Sequence, residues 1–201
     1  MWENIQKDWQ QVFAYLKLYL ANPVAQIRKI PDWDWRTNLF FLGVLSAISG
    51  SLHGLVSGSL FSFILGFIFF PLTLTVVHFI ISGFFYYFSL FIIGREINYK
   101  QIFLLLTLAN IPFLAIYILS ALASPLLLLG MAGTSILLIV GFVDYFLLPK
   151  KVVMRVILGL FTFYVVMWIW GTIQTTEIKK MKSEPTTRQH LDILEKELKG
   201  K

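Results

Sequence analysis

The sequence predicts an all-α protein: a polytopic integral membrane helical bundle of five transmembrane helices, preceded by an N-terminal interfacial amphipathic helix. Three observations predict it. Thr37 to Ile93 carries no Lys, Arg, Asp or Glu, and its only titratable groups besides tyrosines are His53 and His78. A membrane-crossing helix needs roughly 20 apolar residues, because the hydrocarbon layer is about 30 Å thick and a helix rises about 1.5 Å per residue. That stretch must therefore cross at least twice. The chain is 14% charged, against about 25% in soluble proteins. The charge is also gathered at the ends and in two short inner clusters, with Asp144 as the exception. A helical bundle in lipid with polar ends has that layout.

Residues 2–20 predict an amphipathic helix. Trp2, Ile5, Trp9, Val12, Leu16 and Leu20 recur at steps of three and four, with Glu3, Lys7, Gln10 and Lys17 off that stripe. Trp2 and Trp9 favour the headgroup boundary, so the helix is expected to lie on the membrane; the competing arrangement packs it on the bundle's own polar end. Asn22-Pro23 opens a second short helix, with Asn as cap and Pro at its first position. Pro31 stops it. Trp33 and Trp35 then fall where indoles sit between water and lipid.

The first span is expected near Thr37–Ser57. Its small residues Ser46, Gly50, Gly54 and Gly58 repeat at four-residue intervals, so one face can accept another helix closely. Ser62 and Gly66 continue the interval, which leaves two readings open: the helix runs on past Gly58, or the continuation is accidental. Pro71 to Ile93 is long enough for a second span. That leaves Ser59–Phe70 as a surplus, too short to cross and too apolar for an open loop; it extends a neighbouring span, lies at the interface or re-enters. Gln101–Ala123 is a third span, kinked at Asn110-Ile111-Pro112. Residues 126–148 form a fourth, with Gly130, Gly133 and Gly141 available for close packing. Val152–Gly171 is a fifth, ending in Trp168 and Trp170. The tail from Thr172 is polar and basic. A short helix within it would be capped by Thr187 and carry Leu191, Leu194 and Leu198, unless the tail stays disordered.

Orientation follows from the cations. The N-terminal segment has five Lys and Arg, the 95–100 loop two and the 150–155 loop three, whereas the Ser57–Ser59 and Ser124-Pro125 turns have none. With five spans and the N-terminus cytoplasmic, every positive loop lies inside. The Lys-rich tail then falls outside, against its charge.

Composition also excludes functions. No cysteine is present, so disulfides, iron–sulfur clusters and thiol nucleophiles are out. The net charge of +6 is explained by membrane flanks rather than by nucleic acid, since no basic stripe stands apart from them. Met1–Leu20 lacks the apolar core of a signal peptide. No metal-ligand spacing, P-loop or nucleophile elbow is found, so no metal, cofactor or catalytic residue is expected.

The stretch GREINYKQIFLLLTLANIPFL (Gly94–Leu114) resembles the hallmark of the Yip family, the Ypt/Rab-interacting five-span membrane proteins, in its bacterial branch. There a short Gly-containing polar loop precedes a span with a small or polar residue and Pro near its middle; Gly94, Lys100, Ala109, Asn110 and Pro112 match it. Ala21–Ile27 and the closing span after Pro149-Lys150-Lys151 are also similar to bacterial members. The resemblance covers most of residues 20–171. It implies a cytoplasmic N-terminus, five helices, no catalysis and the bacterial inner membrane. Eukaryotic members bind prenylated small GTPases, but their Asp-Leu-Tyr-Gly-Pro box is absent here, so that partner is not carried over.

Four polar groups within or near the bilayer are the candidate functional residues: His53, His78, Asn110 and Asp144. Each has a plainer explanation. His78, mid-span, relays protons or binds metal, or is neutral and hydrogen-bonded to a neighbouring helix. His53 is near the outer end, where water can satisfy it. Asp144 lies near the cytoplasmic boundary, where Lys150, Lys151 or Arg155 can pair with it. Asn110 can satisfy carbonyls freed by Pro112 or join helices. Two functions follow. One is a non-catalytic scaffold that organises membrane or recruits partners, with the N-terminal helix or tail available to a second copy or another protein. The other is a small transporter or channel lined by the four polar groups.

Overall fold

The computed structural model describes the backbone of residues 2–183 and Glu195, and side chains for residues 10, 12–174 and 195. The Trp2 and Trp9 side chains and the expected tail helix at Leu191–Leu198 lie outside the described residues. Within them, all regular structure is helical: α1 (Trp2–Ala21), α2 (Pro23–Ile27), α3 (Trp35–Val56), α4 (Leu60–Phe88), α5 (Tyr99–Ala109), α6 (Ile111–Leu119), α7 (Leu126–Val140) and α8 (Lys150–Ser183). Single π-helical segments, Ser89–Ile93 and Gly141–Tyr145, extend α4 and α7. Five stretches are long and apolar enough to cross a membrane: Trp35–Val56, Leu60–Ile93, Tyr99–Leu119, Leu126–Tyr145 and Lys150–Gln174. The chain divides into two compact units, Met1–Phe161 and Thr162–Lys201. In the second, α8 runs as helix to Ser183, beyond the expected end at Gly171.

The Ser59–Phe70 surplus is resolved. It is the first third of α4, with Pro71 inside the helix rather than opening it. The second apolar helix thus has 34 residues, about 51 Å at 1.5 Å per residue. Ser59 begins it, its hydroxyl accepting from the Ser62 amide at 3.1 Å. Gly58, at φ +72, makes the preceding turn in a region closed to most side chains.

That turn explains the small-residue interval. Residues equidistant from Gly58 face each other across an antiparallel hairpin: Gly54 meets Ser62 and Phe63, and Gly50 meets Gly66. A Cβ on Gly54 would lie 2.6 Å from Phe63 Cα, and one on Gly50 would run into the Gly66 carbonyl. The repeat is two halves of one close helix–helix seam, as small residues permit. Neither expected alternative was right: the helix stops near Gly58, yet the continuation through Ser62 and Gly66 is not accidental. Gly130, Gly133 and Gly141 do the same for α7, against Phe113, Pro112 and Leu105 respectively.

One end of the first unit gathers the charges. Asp34 caps α3, its carboxylate accepting from the Thr37 amide at 2.8 Å; these hydrogen bonds hold its carboxyl below the usual range. Lys100 Nζ meets Asp32 at 2.7 Å and Arg28 Nε meets Asp144 at 2.8 Å. Arg95 donates to the Leu147 carbonyl at 2.9 Å, joining the loops after α4 and α7. The opposite end, at the 57–59 and 120–125 turns, has no charged residue.

The core lies nearer the charged end. It centres on α5, where Ile102 to Ala109 are all buried, and draws in Phe41 from α3, Phe85 from α4, Phe142 from the second π segment and Ile157 from α8. The N-terminal helices join it. Val12 and Tyr19 of α1 and Ile27 of α2 are buried, and the Trp33 ring packs edge-on to Tyr15 and Phe41 at 5.5 and 5.3 Å. Two expectations change accordingly. The second half of α1 packs on the bundle with Tyr19 on its inner face, while Leu20, expected on that face, is 67% exposed. Trp33, expected at a lipid boundary, is inside the protein.

Candidate functional site

The four polar candidates occupy different places and form no common cluster. His53 sits at the uncharged end. Its Nδ1 lies 2.9 Å from the Tyr117 carbonyl oxygen, so Nδ1 carries the proton and donates. One turn earlier, Ser49 donates to the Leu114 carbonyl at 2.5 Å. Both bonds tie α3 to α6; the Tyr117 carbonyl, near the end of α6, also accepts from the Ser120 amide at 3.2 Å and the Ser120 hydroxyl at 2.7 Å. The imidazole also stacks on the Tyr117 ring at 4.4 Å. His53 is thus an inter-helix tie at the end of α6.

Asp144 lies in the second π segment and pairs with Arg28 from the loop after α2, not with the expected Lys150, Lys151 or Arg155. Both partners are substantially solvent-exposed, so the pair fixes register more than it adds stability.

Asn110 marks the break between α5 and α6 through its backbone. Its N–H donates to Leu106 and its carbonyl accepts from Leu114, both at 3.0 Å. Pro112 has no N–H, so the helical partner of the Leu108 carbonyl is missing. The group that replaces it is remote in sequence: the Tyr19 hydroxyl donates to Leu108 O at 2.6 Å, buried. Burial raises the hydroxyl pKa of Tyr19 and of neighbouring Tyr15, which keeps both as neutral donors at ordinary pH. Tyr15 donates to the Gln26 carbonyl at 3.0 Å, pinning α2 back along α1.

His78 remains, and it has company that the sequence reading did not single out. Asn38 of α3 holds the matching sequence position across the hairpin, as far before Gly58 as His78 is after it. Ser82 is one turn further along α4. All three are buried, Asn38 and Ser82 completely. His78 Nδ1 donates to its own helix at Leu74 O, 2.9 Å away, and its ring meets Phe103 edge-on at 5.8 Å. His78 Nε2, both polar atoms of Asn38 and the Ser82 hydroxyl have no hydrogen-bond partner among the described residues. With Nδ1 protonated, Nε2 is an acceptor; Asn38 offers a donor and an acceptor, and Ser82 both. These three buried side chains on α3 and α4 are the candidate site: polar groups with unused hydrogen-bonding capacity inside the bundle. An isolated buried polar group costs several kcal/mol, so the groups should depend on one another. We expect Asn38→Leu and His78→Leu to couple by about 0.5–3 kcal/mol in a double-mutant cycle of unfolding. Additive losses would mean that each is satisfied separately.

The helix-packing candidates Gly50 and Gly54 are at the seam. Ser46 is fully buried and bonds to its own helix at Leu42 O, 2.6 Å. Gly58 makes the turn. Trp35 stacks on Phe79 at 5.9 Å, and Trp170 is 62% exposed beside a half-buried Trp168. Among the described residues, no group of three or more His, Asp or Glu is placed to hold a metal ion.

No family model matches this chain, and no curated protein or solved structure matches it either.

Proposed function

We propose that the chain is a non-catalytic integral membrane protein of the Yip type, organising membrane or recruiting protein partners from the bacterial inner membrane with its N-terminus in the cytoplasm. Five helices of spanning length support membrane insertion. No residue in the most apolar window of Leu60–Ile93 is fully buried, as expected of a helix with one side packed on the bundle and the other facing lipid. The charged end is the cytoplasmic end by the bias of Lys and Arg.

One observation carries the scaffold reading over the transporter. The four polar groups are dispersed, and three have local structural work: His53 ties α3 to α6, Asp144 pairs with Arg28, and Asn110 sits at a break sealed by Tyr19. The buried, unpartnered polar groups of Asn38, His78 and Ser82 favour the second reading, a small transporter or channel, but they stand alone. Purified protein in liposomes separates the two. The scaffold reading expects no proton or ion flux above protein-free vesicles. It also expects His78→Ala to leave membrane organisation intact while deletion of residues 2–20 abolishes it. Flux that disappears in His78→Ala would establish the transporter instead.

A further inference from the structure

The N-terminal helices have a depth that can be measured along the bundle. Leu108 is nine residues into α5, about 13 Å from its start at 1.5 Å per residue. That start is at the charged end, where Lys100 meets Asp32. The Tyr19 hydroxyl reaches the Leu108 carbonyl, so the end of α1 lies within one side chain's length of that depth, inside the charged end rather than across its mouth. A second ruler agrees. α1 turns at Asn22-Pro23, and α2 returns along it, held by Tyr15 on the Gln26 carbonyl. The five residues of α2 rise about 7 Å before Arg28 reaches Asp144 at the charged end. Both rulers put the Ala21–Pro23 turn well inside that end. The chain returns to the side it came from, so α1 and α2 do not cross.

The outside of this tip is apolar. Leu18 is 55% exposed, Leu20 67% and Val24 38%. The Asn22 side chain is occupied within the tip, accepting from the Ala25 amide at 3.0 Å. Lys17, one turn before the tip, is exposed and long enough to reach back toward the charged end.

We infer that α1 and α2 form a re-entrant wedge in the cytoplasmic leaflet, with lipid acyl chains as the partner of Leu18, Leu20 and Val24. The occupant follows from continuity: the tip lies at a depth where the neighbouring helices present their own apolar exterior. The wedge adds cross-section to one leaflet and none to the other, so it favours membrane whose cytoplasmic leaflet is convex. This rests on the membrane-spanning reading above and gives membrane organisation a physical means.

The chain contains no cysteine, so single spin labels can be placed in the full-length protein in vesicles of neutral and anionic phospholipid. Val76→Cys on α4, 58% exposed, serves as the reference for hydrocarbon depth. The wedge predicts that Leu20→Cys, like Val76→Cys, is relaxed more by oxygen than by a water-soluble nickel complex. A deep Val76 label with a Leu20 label at headgroup or aqueous depth would overturn the wedge and leave the spanning reading intact. An aqueous Val76 label would overturn both. Adding Tyr19→Phe to Leu20→Cys should move the label outward; an unchanged depth would overturn the anchoring role given to Tyr19.

Discussion

Gly50→Leu and Gly66→Leu are each expected to leave little folded protein. In both, the new Cβ would meet the backbone of the facing helix, and backbone cannot rotate aside as a side chain can. Overpacking in ordinary cores costs about 1–3 kcal/mol. Here the helices must separate along the whole α3–α4 seam, so the cost should reach or exceed the top of that range. Set against a total stability of about 5–15 kcal/mol, that would show as aggregation or loss of the monodisperse peak in detergent. Gly43→Ala is the matched control. Nothing lies within 4 Å of its Cβ, and alanine in a helix is favoured over glycine by about 1 kcal/mol. It should be neutral or slightly stabilising. Equal behaviour of the two substitutions in chemical unfolding would disprove the seam.

Tyr19→Phe should cost about 1–3 kcal/mol, the penalty for a buried carbonyl left without a donor. The carbonyl needs that donor because of Pro112, so the penalty depends on the proline. In a Pro112→Ala background the alanine amide can take the Leu108 carbonyl, and Tyr19→Phe should become nearly neutral. Unfolding of the four proteins of this cycle in detergent measures the dependence. A Tyr19 penalty that is the same in both backgrounds would mean the hydroxyl is not replacing the missing helical bond.

The number of the five apolar helices and the rough extents of all but the second were legible in the sequence, because hydrophobic length survives any choice of packing. The connection between the first two was not. A four-residue interval of small residues is the signature of one helix face, and a hairpin folded at Gly58 reproduces it by symmetry. Only the partner across the seam distinguishes them. Pro71 misled for a related reason: proline is best tolerated in a first turn, whereas the structure keeps it inside α4. The buried polar groups were half legible. His78 stood out as titratable, whereas nothing in the sequence marked Asn38, which only its complete burial without a partner singles out. Tyr19 was hidden because its role is set by a bond missing 93 residues away, at Pro112. Asp144 was matched to the nearest cations in sequence, while the fold supplied Arg28 from the other end of the chain.

The central claim is a five-span bundle with its charged end in the cytoplasm. Single cysteines in intact cells test it most directly, using a maleimide that cannot cross the membrane. Ser59→Cys, Ser124→Cys and Gln174→Cys should label from outside. Glu96→Cys and Lys151→Cys should label only after the cells are opened. A Gln174 site protected in intact cells, with Ser124 still labelled from outside, would mean that α8 does not cross and would contradict the five-span architecture.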